Sequence, residues 1–267
     1  HQPRRGVALG NRRLSIIDLG GGHQPFVRHD GQIAVVQNGE IFNHVELAAE
    51  LRAQGVRLHT HSDTEVILRL YEREGIACLS RLNGMFAIAI DDAREDALYL
   101  ARDRIGVKPL FVHDDGQRLL FGSEPKALWP ALGGRKPGMC LEAIHHYLTF
   151  NYIPAPWTAY EGVRHVMPGT WQKVKRGRHV QTQRWWSLAD QHEQDHRFDA
   201  WAAEFMALLD DATRIRLRAD VPFGAFLSGG VDSSTIVGLM ARHVKEPVKT
   251  FCIGFEDPRY DESAFAL

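Results

Sequence analysis

Two periods of apolar spacing divide the chain into its predicted elements. In residues 43–54, Val45, Ala48 and Leu51 recur at helical spacing, and Gly55 ends the run. A second helix starts at Ser62, where Ser62 and Glu65 have the spacing of a capping box, and Val66, Leu68 and Leu70 carry it to Gly75. Ahead of both, residues 7–18 read as a strand, and residues 32–36 as another that runs into a turn at Asn38-Gly39. After Gly84 the period shortens: residues 85–90, 97–101, 110–113 and 119–121 are short β segments divided by Asp, Gly and Pro, a meander in one sheet layer. Residues 142–150 read as a helix and residues 171–180 as a hairpin.

The polar run at residues 191–196 offers no face to bury and is the expected linker. Its His192 and His196 stand four apart but have no third ligand nearby. Beyond it, a long helix over residues 199–218 sets Trp201, Phe205, Leu208, Leu209, Ala212 and Ile215 on one side. An apolar run at 223–227, a Gly-rich loop, a helix at 235–243 and an apolar run at 248–253 then spell strand, crossover helix, strand, which requires a parallel sheet. The fold class is therefore α+β over residues 1–190, followed by α/β over residues 191–267, where the second sheet is only opened.

Length and composition narrow the function. A chain of 267 residues, 44% hydrophobic and 24% charged, is large enough for two globular domains. With 32 Lys and Arg against 33 Asp and Glu the net charge is −1, so no overall field draws it to nucleic acid or an anionic membrane. The longest apolar stretches, such as residues 85–90, fall far short of the ~20 residues of a membrane helix. Cys78, Cys140 and Cys252 are too scattered for a disulfide framework, which points to a reducing, cytoplasmic setting. Beginning at His1 with no apolar signal region, the chain reads as part of a longer protein.

The sharpest chemical signal is Ser228-Gly229-Gly230-Val231-Asp232-Ser233-Ser234 between an apolar strand and a helix. Adjacent glycines let the backbone approach a ligand, and the first amides of the helix suit phosphate. No Gly-Lys-Ser/Thr follows, so this is not a Walker loop. The first region holds polar groups in apolar or turn-forming contexts: Arg13-Leu14-Ser15-Ile16-Ile17-Asp18, Asn38-Gly39-Glu40, and Ser62-Asp63-Thr64-Glu65. A guanidinium fork suits a carboxylate, and Asp63 at a helix start lies where the dipole favours an anion ready to bind a cation. Asn38 with Gly39 can present a side-chain amide and a backbone N–H to one oxygen, as an oxyanion hole requires. Taken singly, each also reads as a turn, a cap or a solvated strand residue.

Together the loop at Ser228 resembles the pyrophosphate-binding loop of the ATP pyrophosphatases, and the upstream groups resemble the glutaminase domain of class II amidotransferases. The combination is similar to the glutamine-hydrolysing asparagine synthase family. Further matches are Asn83-Gly84-Met85-Phe86-Ala87, Arg102-Asp103 with Gly106 and Pro109-Leu110, and Ser123-Glu124 with Lys126-Ala127-Leu128. The resemblance implies an α/β/β/α sandwich of the N-terminal-nucleophile hydrolases, followed by the start of a Rossmann-like ATP pyrophosphatase domain.

It also implies roles. Arg13 would hold the glutamine α-carboxylate, and Asp63 with Glu40 the α-ammonium; Leu14, Ser15, Ile16 and Ile17 would line the pocket, and Asn38 and Gly39 would stabilise the oxyanion. Ser228, Gly229, Gly230, Val231, Asp232, Ser233 and Ser234 would hold the diphosphate of ATP, with Asp232 on Mg²⁺. Leu227 and Ile253 would touch the adenine, and plain core packing is the other reading of both. The implied nucleophile is a cysteine at the mature N-terminus, which no residue here matches: Cys78 and Cys252 read as small buried hydrophobes, and Cys140 follows a Pro-Gly turn without a catalytic partner.

The function so implied is a glutamine-dependent, ATP-consuming carbon–nitrogen ligase that amidates aspartate, this stretch being inactive alone. The expected partners are the small molecules glutamine, ATP and aspartate, with neither nucleic acid nor membrane, and a homodimer is the assembly in view. The rivals are a related ATP-dependent amidotransferase or cyclase acting on a peptide, antibiotic or cell-surface sugar, and a catalytically silent glutamine- or nucleotide-binding module.

Overall fold

The computed structural model describes residues 6–190, 197–257, 259 and 261–266. The linker expected at residues 191–196, with His192 and His196, lies outside the described residues. The chain divides into two compact units, residues 1–192 and 193–267.

In the first unit the elements are β1 (Phe26–Val27), β2 (Ile33–Ile41), α1 (His44–Ala53), α2 (Asp63–Glu74), β3 (Gly84–Asp92), β4 (Ala97–Arg102), β5 (Phe111–Asp114), β6 (Leu119–Gly122), α3 (Leu141–Phe150), β7 (Val163–His165), β8 (Thr170–Lys175) and β9 (Arg178–Arg184). Strands β1-β2-β3-β4-β8-β9 make one antiparallel sheet, and β6-β5-β7 make a second. The single-layer meander is thus corrected: β3 and β4 lie in the first sheet and β5 and β6 in the second. Pairing between segments distant in the chain, such as β4 with β8 and β5 with β7, decides which sheet a strand joins, and local alternation carries no trace of it.

Two buried clusters cover the two faces of the first sheet. On one face Ile33, Val35 and Ile41 of β2 and Phe86, Ile88 and Ile90 of β3 pack with Leu47 and Leu51 of α1 and Val66, Ile67, Leu70 and Tyr71 of α2. Their strand neighbours Ala34, Val36, Ala87 and Ala89 point the other way, and pack with Leu110 and Val112 near the second sheet. Four of these contacts are Ala or Val, small enough for two sheets to approach closely. A 3-10 turn, Pro125–Leu132, packs on β6 and buries Leu128, so the layers run helix, sheet, sheet, helical turn.

Some expected elements differ. Residues 8–18 form no strand; Arg13 donates to the carbonyls of Ile17 and Asp18 within the segment, and Asn11 Nδ2 donates to the distant Gln37 carbonyl at 2.8 Å. Asn38-Gly39 is not a turn but part of β2, pairing with Ala87 and Phe86. Gly39 has φ 149°, and a Cβ there would overlap the Met85 carbonyl, so the glycine serves a close backbone approach rather than a reversal. At α2 the Ser62 Oγ accepts from Thr64 N at 3.2 Å, but Glu65 does not close the capping box. Its carboxylate reaches further back and accepts from the backbone N–H groups of His59 and Thr60 and from the Thr60 hydroxyl. Burial raises the Glu65 carboxyl, and these three donors together with Arg69 outweigh it, so its pKa is lowered.

The second unit contains α4 (Phe198–Arg216), β10 (Ala225–Phe226), α5 (Val231–His243), β11 (Thr250–Phe251) and α6 (Ser263–Ala266). β10 and β11 pair in parallel across α5, as the strand, helix, strand order requires. Helix α5 starts at Val231, four residues before the expected Thr235, so Asp232, Ser233 and Ser234 belong to its first turn. Cys252, expected to be buried, is exposed, as are both residues of the short strand β11 that it follows.

Candidate functional site

A cavity of about 440 Å³ opens where β2, the head of α2 and three loops converge. Its walls include Arg13, Leu14, Ile16, Ile17, Asn38, Gly39, Glu40 and Asp63, eight of the nine residues assigned above to glutamine; Ser15 is not among them. Ser15 Oγ lies 3.4 Å from Arg13 Nη1.

The long loop before β1 folds around Arg13. The guanidinium donates to the carbonyl oxygen of Ile17 and, at 3.1 Å, to that of Asp18. Asp18 in turn accepts from Gly21 N at 2.7 Å and from His61 N at 2.8 Å, which fastens the loop to the chain leading into α2. Arg13 is half-buried, and these carbonyl bonds fix its guanidinium beside the cavity.

Asp63 is the first residue of α2 and only 4% exposed. Its Oδ2 accepts from Ile41 N at 3.0 Å and from Gln37 Nε2 at 2.7 Å. A carboxylate so held, at a positive helix end, is an acceptor for an ammonium. Opposite, Asn38 Nδ2 donates to Ser123 Oγ at 2.9 Å, across from β2 to the residue after β6. Lys108 joins the wall through the Arg102-Asp103 turn: Asp103 accepts from Val107 N and Lys108 N, and Arg102 donates to the carbonyls of Gly106, Lys108 and Val166.

Several lining residues had no role assigned from sequence: Asn11, Gln24, Gln37, Lys108, Ser123 and Glu124. Gln37 had a visible signal, a lone amide after four apolar residues in a strand, which burial must pair. The others reach the cavity by loops whose paths depend on distant contacts. Among the described residues, none of Cys78, Cys140 and Cys252 lines the cavity. Burial pushes the Cys78 thiol up to about 12, as suits an inert core residue.

In the second unit the Ser228 loop leads directly into α5. The hydroxyls of Ser228 and Ser233 lie 3.1 Å apart, and Ser233 Oγ donates to the Gly230 carbonyl at 3.2 Å. Gly229 has φ 79° and a Cβ there would overlap the backbone of Phe265 in α6. Asp232 is exposed in the first turn of α5, and Leu227 N donates to the Phe251 carbonyl at 2.9 Å. Ile253 is 63% exposed, so its side chain is not part of a core. No cluster of three or more His, Cys, Asp or Glu able to hold a metal occurs among the described residues. No helix among them is long and apolar enough to cross a membrane.

A helical layer over two antiparallel sheets, with a polar cavity at the strand ends, is the architecture of the N-terminal-nucleophile hydrolases, here followed by the opening of a parallel α/β sheet. The chain belongs to the glutamine amidotransferase family: the signature of the glutamine amidotransferase domain matches residues 2–186, and that of asparagine synthase matches residues 204–267. It is 36% identical over 256 residues to asparagine synthetase [glutamine-hydrolyzing] 1 of Bacillus subtilis, a match that covers 96% of this chain and 40% of that protein. It is 34% identical over 247 residues to amidase chry2 of Gibberella zeae, covering 91% of this chain and 36% of that one. Among solved structures, glutamine phosphoribosylpyrophosphate amidotransferase from B. subtilis matches with a TM-score of 0.46 and 25% identity, over 62% of this chain and 32% of that one. The chain thus spans less than half the length of the curated relatives named.

Proposed function

We propose that this chain binds glutamine in the cavity of its first unit and ATP at the Ser228 loop of its second, as parts of an amidotransferase of the asparagine synthase type. In this reading residues 1–190 are the glutaminase domain and residues 191–267 the start of the ATP pyrophosphatase domain. The observation that carries it is the convergence of Arg13, Asp63, Glu40 and Asn38 on one cavity: a cation, two anions and an amide donor match the carboxylate, ammonium and reacting carbonyl of one amino acid. Arg13 takes the α-carboxylate, Asp63 with Glu40 the α-ammonium, and Asn38 Nδ2 with the Gly39 N–H the developing oxyanion. Leu14, Ser15, Ile16 and Ile17 shape the loop around them. The attacking thiol is the N-terminal cysteine that the family uses, and the residues named here bind and orient its substrate.

At the second site the amides opening α5 and the hydroxyls of Ser228, Ser233 and Ser234 face a diphosphate. The loop's donors fit a nucleotide; one carboxylate, Asp232, fits Mg²⁺ only in company with phosphate oxygens. When bound, the cation neutralises charge on the departing diphosphate, and Leu227 and Ile253 flank the base. Nitrogen released as ammonia then displaces AMP from an adenylated carboxylate. Aspartate is the acceptor that the similarity to an asparagine synthetase supports; the similarity to an amidase supports a different acceptor on the same scaffold.

The deciding experiment gives the full-length protein glutamine, ATP, Mg²⁺ and aspartate. Free asparagine with stoichiometric AMP and glutamate supports the asparagine reading. Glutamate and AMP only when another carboxylate is added would assign a different acceptor, and release of neither would overturn the proposal.

A further inference from the structure

Two buried charges in the first unit hold a single turn. Arg102 is 7% exposed and Asp103 1%, and ions are costly to bury unless their bonds are well placed. Asp103 Oδ2 accepts from Phe86 N at 3.1 Å and from Lys108 N at 2.9 Å, and Arg102 Nε donates to the Lys108 carbonyl at 2.8 Å. Both backbone polar groups of Lys108 are thus engaged, and what this half-buried residue can offer a ligand in the cavity it lines is its side chain. Its ammonium keeps accessible surface and, among the described residues, has no hydrogen-bond or ion-pair partner. Glu124, an acid on the same wall, pairs with Lys126 at 2.6 Å instead. The position is specific as well. Phe86 is the strand partner of Gly39, and opposed residues of an antiparallel pair stand about 5 Å apart. One oxygen, Asp103 Oδ2, therefore ties Lys108 to the residue facing Gly39, on the part of the wall that Asn38, Gly39 and Met85 form.

Resting on the glutamine reading of the cavity, we propose that Lys108 is a further catalytic residue of glutamine hydrolysis, its ammonium completing the oxyanion site of Asn38 and Gly39. The N-terminal cysteine of the proposed reaction passes its thiol proton to its own α-amine and forms an S–C bond to the amide carbon, while the carbonyl π pair moves onto oxygen. When that pair returns, the C–N bond breaks and the nitrogen leaves as ammonia, taking the proton from the α-amine. Full charge stands on the oxygen only between these two events. Lys108 exchanges no proton in them and acts by attraction alone. The Asn38 amide and the Gly39 N–H are neutral donors; a cation fixed by buried bonds before substrate arrives adds the charge they lack.

The test is steady-state glutamine hydrolysis by the full-length protein. Lys108→Met keeps the stem and removes the charge, and should lower kcat about a hundredfold with KM nearly unchanged, because the attraction is made only in the transition state. Lys108→Arg, which restores a cation, should recover most of that loss. Full kcat in Lys108→Met overturns the proposal. So does a raised KM with kcat kept, which would place the cation on a group of glutamine that is charged throughout. Ammonia-dependent synthesis reports the fold: an equal fall in glutamine- and ammonia-dependent rates would make Lys108 structural and overturn its catalytic role. No glutamine hydrolysis by wild type overturns the reading of the cavity instead. Should Lys108→Met not fold, a structure of wild type with glutamate γ-semialdehyde decides, since the thiol adds to the aldehyde to give a tetrahedral analogue. Nζ within about 3.2 Å of the adduct oxygen supports the proposal, and Nζ turned away from it ends it.

Discussion

The side-chain amide of Asn38 donates to Ser123 Oγ at 2.9 Å, which ties the first sheet to the end of the second at the cavity wall. One of the two Nδ2 protons is thereby committed and the rotamer of the amide is set. Loss of an oxyanion donor typically costs ~10²–10³ in rate. Asn38→Ala in the full-length protein should lose that much kcat for glutamine hydrolysis, whereas Ser123→Ala, which keeps the donor but frees its rotamer, should lose about tenfold. Synthesis from added ammonia should survive both. Glutamate release by Asn38→Ala at the wild-type rate would remove Asn38 from the mechanism.

Gly39 makes a stability prediction that does not depend on function. Its φ of 149° and the Met85 carbonyl where a Cβ would sit mean that Gly39→Ala both strains the backbone and pushes β2 from β3. Two such penalties should cost about 2–4 kcal/mol. Urea unfolding of the purified chain measures it, and a midpoint equal to wild type would show that the strand pair yields freely.

How far the sequence foretold this structure depends on the range of the interactions. Helices α1 and α2 were legible because spacing and end signals are local: Gly55 and Gly75 stop both at positive φ. The parallel pair around α5 was legible because a strand, helix, strand order leaves little alternative. Asn38-Gly39 was misread because Asn-Gly has two uses, reversal and close approach, and only the position of Met85 on β3 separates them. Residues 7–18 looked like a strand, yet the Arg13 bonds to Ile17 and Asp18 and the Asp18 bond to His61 make a loop of them. For the cavity, the charged residues could be nominated from similarity, but the amide of Gln37 and the hydroxyl of Ser123 enter through contacts 26 and 85 residues away in sequence.

Arg13 separates substrate recognition from the rest of the reaction. In the proposed function its guanidinium takes the α-carboxylate of glutamine, which an anionic replacement would repel. Arg13→Glu in the full-length protein should raise the KM for glutamine by about a hundredfold or more, in line with two lost charge-assisted bonds. Ammonia-dependent synthesis should be kept. Because Arg13 also holds the Ile17 and Asp18 carbonyls, Arg13→Lys is the informative companion: it retains charge but not the fork. Equal damage to glutamine- and ammonia-dependent rates would assign Arg13 to the loop's structure alone.

His165 on β7 gives the first unit a pH dependence with a predictable sign. Its ring lies 4.3 Å from that of Phe111, and its buried Nδ1 has no hydrogen-bond partner. Burial, and after it the Arg102 guanidinium, pull its pKa from 6.5 down to about 4. In the unfolded chain the imidazole takes up its proton near ~6.5, whereas the folded ring stays neutral until about 4, so the unfolded state binds more protons between these values. Stability from this group is therefore complete above ~6.5 and declines as pH falls toward ~4. The carboxylates of Glu65 and Asp92, both held below their ordinary values of 4.5 and 3.8, add a loss of the same sign, but only at more acid pH. His165→Phe keeps a ring against Phe111, forfeits no Nδ1 hydrogen bond and cannot protonate. Denaturation midpoints followed from pH ~7 to ~4.5 should fall for wild type and stay more nearly level for His165→Phe. Parallel curves for the two proteins would mean that His165 protonates as readily when folded as when unfolded.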